Sequence, residues 1–291
     1  MDGTRGETCE RFRRLSIVGV FLCVAVLAVA VAFGKGAVGP DAEAYADMQS
    51  DGVPAASRQA DSGEDPAADP ASDAAGAVPY DRDAAVDYAE RYARPMAGWP
   101  SWTELFLGRV FGAGRNPDYL SYGSNCANFA SQVLVAGGLE QSESWHAVKD
   151  ANREDSDGDW SVSESWRLAK SQYEYFSDPG NGCISGKVVN VHGADSDGEE
   201  GMENIAVDDL AAQAADRGIR KGDLVFFYGE GGTPHHSAVV SCVCDAGVFF
   251  AANTTRRCDY PLGSGIVKDD ATCGAYIVRM NDAVAAEGWD R

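Results

Sequence analysis

Positive charge is scarce in this sequence. Its 291 residues include 24 Lys and Arg against 45 Asp and Glu, which gives a formal net charge of −21 at pH 7. Nucleic acids and anionic membrane surfaces bind proteins mainly through Lys and Arg. The deficit therefore disfavours both as partners and leaves cationic or mixed-charge substrates as the compatible ones.

Patterns that bind metals are also missing. The sequence has no Cys-x-x-Cys pair, and no spacing of His and Cys fits a zinc site. The acidic runs 155–159 and 195–198 do not make an EF-hand loop, since in the first of them Trp160 stands where the loop needs Gly and Trp166 where it needs Glu. We therefore interpret both runs as solvated turns and expect no metal and no other cofactor.

The N-terminal part of the chain does not have the composition of a globular domain. Residues 1–14 contain several arginines and are predicted to be a short cytoplasmic stub. Residues 15–33 are apolar with one exception and would span roughly 30 Å as a helix, about the hydrocarbon thickness of a bilayer. They are predicted to be a single-pass transmembrane anchor or a signal peptide cut near residues 30–37, and their length favours the anchor. In both cases the arginines stay inside and the rest of the chain is extracytoplasmic.

Residues 34–79 are rich in Ala, Asp, Pro, Gly and Ser. Residues 36–79 carry nine acidic side chains and one basic one, Arg58. Such a composition buries too little apolar surface to offset the entropy lost on ordering, and like charges extend the chain. We predict a disordered acidic linker here, followed by one compact domain over residues 80–282 and a tail over residues 283–291.

Helical patterns come first in the compact domain and strand patterns come later. Apolar residues recur at helical spacing in residues 81–94, 102–111, 163–176 and 207–217, and in a further helix that begins at residue 126. Apolar runs predict strands at residues 224–228, 237–244, 248–252 and 275–279. This order is typical of an α+β fold, in which the N-terminal helices pack on an antiparallel sheet.

Six of the eight cysteines follow the apolar segment. In an oxidising compartment an even number of cysteines can pair completely, although connectivity cannot be read from sequence. If Cys126 is a free nucleophile, at least one other cysteine stays unpaired. The pairs that we expect are Cys258–Cys273 and, as a second, Cys183 with Cys242 or Cys244.

Cys126 stands where a loop meets a helix. Residues 126, 129, 130, 133 and 134 form one apolar stripe, Ser124 or Asn125 can cap the start, and Gly137-Gly138 ends the helix. A thiol at a helix N-terminus lies at the positive end of the helix dipole, which favours the thiolate. The position suits a nucleophile, and it equally suits a small core residue, because cysteine is among the most buried residue types.

Histidine is rare as well, with four in the chain, and His235 and His236 directly precede an apolar strand. A cysteine nucleophile needs a base within reach and a third group that orients the base. In an antiparallel hairpin the start of one strand lies beside the end of the next, so Asn253 can approach His236. This predicts Cys126, His236 and Asn253 as the catalytic residues. The competing interpretation is that the histidine is a surface residue and the asparagine a turn former.

Six blocks between Tyr80 and about Met280 stand out in order: Tyr80-Asp-Arg-Asp-Ala-Ala-Val-Asp-Tyr-Ala, Asn116-Pro-Asp-Tyr119, Asn125-Cys-Ala-Asn-Phe-Ala-Ser-Gln132, Ser163-Glu-Ser-Trp166, Lys221-Gly-Asp-Leu-Val-Phe-Phe227 and His235-His-Ser-Ala-Val-Val240. Together they resemble the blocks of the putative amidase domain family, a branch of the papain-like NlpC/P60 cysteine hydrolases. Two positions depart from the family pattern: Asn125 stands where the family usually has Asp, and Asn253-Thr254 where it tends to have His-Thr.

The resemblance implies a papain-like α+β fold and a Cys/His hydrolase of amide bonds, commonly those of cell-wall peptides. We expect the backbone N–H of Cys126, with the side chain of Tyr119 or Asn125, to bind the oxyanion. The predicted function is an extracytoplasmic, monomeric cysteine amidase or endopeptidase that cleaves peptidoglycan peptides. The alternatives are acyl transfer by the same three residues and a catalytically inactive cell-wall binding module.

Overall fold

The computed structural model of the chain describes residues 77–95, 106–107, 114–149, 159–193, 198–267 and 271–285. Within these ranges it contains six α-helices and eleven β-strands. The helices are α1 (Arg82–Ala93), α2 (Cys126–Ala136), α3 (Glu164–Arg167), α4 (Ala169–Ser177), α5 (Leu210–Gln213) and α6 (Leu262–Val267). The strands are β1 (Ala77–Pro79), β2 (Ala147–Lys149), β3 (Trp160–Val162), β4 (Val189–His192), β5 (Glu203–Ala206), β6 (Leu224–Tyr228), β7 (Pro234–Cys244), β8 (Gly247–Ala252), β9 (Arg257–Pro261), β10 (Gly274–Val278) and β11 (Ala283–Ala285).

A seven-stranded sheet forms the centre of the domain, in the order β5-β4-β10-β6-β7-β8-β9. All neighbouring strands are antiparallel except β4 and β5, which are parallel. The predicted α+β class is confirmed, whereas the expectation of a purely antiparallel sheet is wrong at this one edge. β5 begins at Glu203, which lies opposite Val189 at the start of β4, and the two strands run in the same direction.

Each face of the sheet carries its own hydrophobic core, because side chains alternate along a strand. One core places Phe226, Val239 and Tyr276 of the sheet against α1, α2 and α4. The other places Val225 and Val240 against residues of α5 and α6. The sheet is thus covered on both faces, and α2 lies on the first of them.

The predicted helices are confirmed to different extents. Helix α1 matches the prediction closely: Asp81 caps it through a hydrogen bond from the Ala84 N–H, and it ends before Pro95. The predicted helix 163–176 is two helices, because Leu168 has an extended backbone. The predicted helix 207–217 is a 3-10 turn followed by the four residues of α5. The predicted helix 102–111 lies almost entirely outside the described residues.

The two ends of the domain pair with each other. Strands β1 and β11 form a separate antiparallel pair, in which Val78 lies opposite Val284. The predicted domain bounds, residues 80 and 282, fall just inside this pair. The predicted stub, apolar segment and most of the linker lie outside the described residues. Among the helices that the structure does describe, none has the length and apolar character needed to cross a membrane.

None of the six cysteines in the described part of the chain forms a disulfide. The expected Cys258–Cys273 bridge is therefore wrong, as is any bridge from Cys183 to Cys242 or Cys244. Cys258 lies in edge strand β9, and Cys273 directly precedes β10, four strand positions away. That separation is about 19 Å at the usual strand spacing, well beyond the roughly 7 Å between Cα atoms that a disulfide allows.

Candidate active site

Helix α2 is buried more completely than its sequence pattern predicts. Every residue from 126 to 134 is buried, on the polar as well as the apolar positions. The sheet covers one side of the helix, and α1, α3 and α4 surround the rest. Because such burial requires partners for the polar side chains, Ser131 and Gln132 are hydrogen-bonded: Ser131 to Trp145 and Trp166, and Gln132 to the Tyr88 hydroxyl.

Cys126 is the first residue of α2, and its sulfur contacts the beginning of β7. It is hydrogen-bonded to the imidazole of His236 and to the backbone N–H of Ser237, and the Ser124 hydroxyl lies 3.9 Å from the sulfur. Both Cys126 and His236 are buried, with 4% and 7% of their surface exposed. The structure thus brings together two of the three residues that were predicted to be catalytic.

The surroundings of Cys126 favour its thiolate. Burial has the largest effect and by itself raises the pKa of the thiol. The positive charge and hydrogen bond of His236, together with the donors from Ser237 and Ser124, outweigh it and lower the pKa to about 6. The N-terminal end of α2 acts in the same direction through the helix dipole.

The contact between α2 and β7 depends on the unequal lengths of two strands. β7 begins at Pro234, but its pairing with β8 starts only at Val239 and Ala251. If that register continued, Ser237 would lie opposite Asn253, yet β8 ends at Ala252 and the chain turns away. The first residues of β7 are left without β8 as a neighbour, and the Cys126 sulfur accepts the Ser237 N–H there.

Asn253 contacts the loop before α2. Its Oδ1 accepts a hydrogen bond of 3.1 Å from Asn125 Nδ2, and its own Nδ2 donates to the backbone oxygen of Tyr92. The neighbouring Thr254 accepts the backbone N–H of Asn125 at 3.0 Å. The turn after β8 therefore holds the residue that precedes the cysteine. The predicted role of Asn253 in orienting the His236 ring stays a prediction.

The two residues expected to bind an oxyanion have other contacts. Asn125 Oδ1 accepts from the Tyr122 N–H and from Asn128 Nδ2, and one amide hydrogen goes to Asn253. The Tyr119 ring stacks on Trp166 at a centroid distance of 5.8 Å. Trp166 itself is fully buried, as its helical phase predicts. The oxyanion roles of Tyr119 and Asn125 stay predictions.

Sequence reasoning did not single out three residues that complete this site. They are Ser237, through its backbone N–H, Thr254, and Asn128. Asn128 could have been noticed, because it lies three residues after Asn125 and therefore on the same face of the helix start. Ser237 contributes its backbone N–H, so no pattern of side chains in the sequence indicates its role.

The described residues hold no cluster of three or more His, Cys, Asp or Glu that would suit a metal ion. A small cavity of about 20 Å³ lies elsewhere, between β11, α4 and the segment after α2, and is lined by Trp145 and Cys183 among others. It includes neither Cys126 nor His236. At Cys126 the described side chains place a thiol beside an imidazole.

A thiol and an imidazole in contact at a helix N-terminus define the class of site in which cysteine nucleophiles are found. Residues 79–277 match the family model described as Putative amidase domain, and the chain belongs to this family. The family supports amidase-like hydrolysis as its class of reaction. Comparison with curated proteins gave no match, and comparison with solved structures gave none either.

Proposed function

We propose that the protein is a cysteine amidase or peptidase of the papain-like NlpC/P60 type, with Cys126 as nucleophile and His236 as base. The observation that carries this proposal is the contact of the Cys126 sulfur with the His236 imidazole and the Ser237 N–H at the start of α2. A thiol held only for packing has no need of a basic partner and a hydrogen-bond donor together.

The reaction divides into two steps. In the first, the Cys126 thiolate attacks the carbonyl carbon of an amide, a C–S bond forms, and the C–N bond breaks as His236 gives its proton to the departing nitrogen. In the second, His236 takes a proton from water, the hydroxide adds to the thioester, and the C–S bond breaks to release the acid and the Cys126 thiolate. His236 then carries the proton once more, as at the start of the cycle.

The developing oxyanion needs hydrogen-bond donors close to Cys126. The first N–H groups of an α-helix have no partner within the helix, and the N–H of Cys126 is one of them. The Asn125 side chain bonds to Asn253, Tyr122 and Asn128 instead of capping the first turn. This supports the helix N-terminus itself as the main oxyanion donor, with Tyr119 as the side-chain candidate.

Peptidoglycan peptides are the substrate that we propose. The apolar segment 15–33 with preceding arginines, and the acidic linker after it, would hold the domain outside a membrane, where such peptides are within reach. A surface with an excess of negative charge is compatible with substrates that carry free amino groups.

The direct test compares Cys126→Ala with the parent protein. Purified cell wall is incubated with each, and newly released amino groups and peptide fragments are measured. Cys183→Ala is the matched control, because Cys183 is also 4% exposed but its sulfur bonds to the Asn181 backbone oxygen. We expect Cys126→Ala to lose release by at least about 10³-fold and Cys183→Ala to retain it. Unchanged release by Cys126→Ala refutes the proposal.

The same assay separates the alternatives. If an added amine captures the acyl group in preference to water, the protein is an acyltransferase that uses the same residues. If the parent protein binds cell wall without releasing amines, and Cys126 resists alkylation at neutral pH, it is a binding module.

A further inference from the structure

Three asparagine side chains form a continuous chain of hydrogen bonds behind Cys126. Trp166 Nε1 donates to Asn128 Oδ1 at 2.7 Å, and Asn128 Nδ2 donates to Asn125 Oδ1 at 2.9 Å. Asn125 Nδ2 donates to Asn253 Oδ1 at 3.1 Å, and Asn253 Nδ2 donates to the Tyr92 backbone oxygen. We call Asn128, Asn125 and Asn253 the amide relay. It joins α3, α2, the turn after β8 and α1 through the residue that precedes the nucleophile.

The hydrogen bonds of the amide relay all run from donor to acceptor in one sense, so its middle position needs a side chain that both accepts and donates, as an amide does. Each side chain accepts with its oxygen and donates with its nitrogen, so Asn125 must do both at once. A carboxylate at position 125 could accept from Asn128, but it would place a second acceptor against Asn253 Oδ1. If the Asn253 amide turned over to donate to that carboxylate, its oxygen would then face the Tyr92 carbonyl. A charge at position 125 therefore breaks at least one buried hydrogen bond.

The relay is also uncharged next to a group that must be negative. Its three side chains are at most 3% exposed, so a charge among them would be poorly screened. The titratable side chain that acts directly on Cys126 is His236 of β7. The charged groups of the loop before α2 are Arg115 and Asp118, and that of the turn after β8 is Arg256. Burial raises the pKa of the Tyr88 and Tyr119 phenols, which are therefore neutral near pH 7.

We propose that Asn125, Asn128 and Asn253 are positioning residues, which fix Cys126 against His236 and Ser237 and, by carrying no charge, leave the thiolate without a competing anion. This inference rests on the proposed function for its purpose. The test is independent of that function, because it measures alkylation of the Cys126 thiol rather than hydrolysis of an amide. The expected consequence is that a negative charge in the relay changes the ionisation of Cys126 and not only the stability of the fold.

The test compares Asn125→Asp with the parent full-length chain. Each is treated with iodoacetamide from pH 4 to pH 9, and the peptide that contains Cys126 is quantified by mass spectrometry, so that the other thiols do not interfere. A carboxylate one residue from the sulfur repels the thiolate, and we expect the midpoint of alkylation to rise by roughly one pH unit. Thermal unfolding is recorded in parallel.

Asn190→Asp is the matched control. Asn190 is also fully buried, and it also accepts and donates at once, from the Tyr228 hydroxyl and to Asn204 Oδ1. It lies on β4, three strand positions from β7. We expect this variant to lose stability while the alkylation midpoint of Cys126 stays that of the parent. If both variants lose stability and neither moves the midpoint, the relay is merely structural and the proposal is overturned.

Asn253→Ala tests the relay without adding charge, and it remains informative if Asn125→Asp does not fold. It removes the acceptor for Asn125 and the bond to Tyr92, so Cys126 is held less firmly against His236. We expect the alkylation midpoint to rise, by less than in Asn125→Asp. An unchanged midpoint in a folded Asn253→Ala protein contradicts the positioning role. Failure of the proposed function would look different, since the parent Cys126 would then lack a midpoint near pH 6 or the parent would not cleave amides.

Discussion

At acidic pH, Cys126 should be alkylated faster than an ordinary cysteine thiol. With a pKa of about 6, roughly 9% of Cys126 is thiolate at pH 5, against roughly 0.03% of a thiol with the usual pKa of about 8.5. The excess of thiolate is thus about 300-fold. A thiolate of lower pKa is also a weaker nucleophile. With a Brønsted coefficient of about 0.45, the pKa difference of about 2.5 between the two thiols reduces the rate advantage of Cys126 by about 13-fold. Cys126 should therefore be alkylated roughly 20 times faster than an ordinary thiol at pH 5.

The same arithmetic gives a much smaller difference at neutral pH. At pH 7 about 90% of Cys126 and about 3% of an ordinary thiol are ionised, so the net advantage falls to roughly two-fold. The measurement is the second-order rate of iodoacetamide reaction at each thiol over this pH range, read by peptide mass spectrometry. Cys183 serves as the internal reference, because 4% of its surface is exposed, as for Cys126.

His236→Ala identifies the cause of the shift. Without the imidazole, burial acts on the thiol with only the Ser237 and Ser124 donors opposing it, so the pKa of Cys126 should rise by roughly two units or more. The parent curve reports the thiol and the imidazole as a coupled pair, which is why the variant is needed. If the parent Cys126 reacts only above about pH 8, as ordinary thiols do, the reasoning about this site is refuted.

Two further predictions concern the fold. Arg82 of α1 binds the fully buried Asp223 at 2.7 Å, so Arg82→Met should reduce the free energy of unfolding in urea by about 3–5 kcal/mol, and a loss below about 1 kcal/mol contradicts this. Adding Asp223→Leu should not regain that loss, because the backbone N–H groups of Arg220 and Met280 would lose the acceptor that Asp223 provides. A methyl group on Gly274 would meet the Tyr228 hydroxyl and lie 2.6 Å from the Val191 oxygen, so Gly274→Ala should cost about 1–3 kcal/mol in thermal unfolding. Gly123→Ala, which meets nothing within 4 Å among the described residues, should cost far less.

The spacing of apolar residues predicted helices that bury one face and strands that are buried on both faces. The run 224–228 is a strand in the structure as in the prediction, because its apolar side chains are buried on both faces of the sheet. Within the central sheet, strands β4, β5 and β9 were missed. β4 places a buried Asn190 within four residues, and β9 contains Asp259 with a positive φ of 53° and ends in Pro261. Such short segments owe their structure to their neighbours in the sheet rather than to their own pattern.

The part of the candidate site that follows from the order of the helices and strands could be predicted from the sequence. A cysteine at a helix start and a histidine at a strand start are brought into contact, as expected. The end of β8 also comes to the expected place, but Asn253 there bonds to Asn125. The two positions that depart from the family pattern are therefore partners of each other. Only the three-dimensional arrangement joins them, because residues 128 apart in sequence give no periodic signal.

The shortness of β8 has a consequence for inactive variants of this protein. The Cys126 sulfur takes the place of the strand carbonyl that would otherwise accept the Ser237 N–H, so the proposed nucleophile also closes a gap in the sheet. Alanine at this position leaves that N–H without its acceptor, at a cost of about 1–3 kcal/mol, whereas serine offers an oxygen to it. Cys126→Ser is thus the variant suited to capturing an uncleaved substrate, since it weakens the nucleophile and keeps the sheet edge closed.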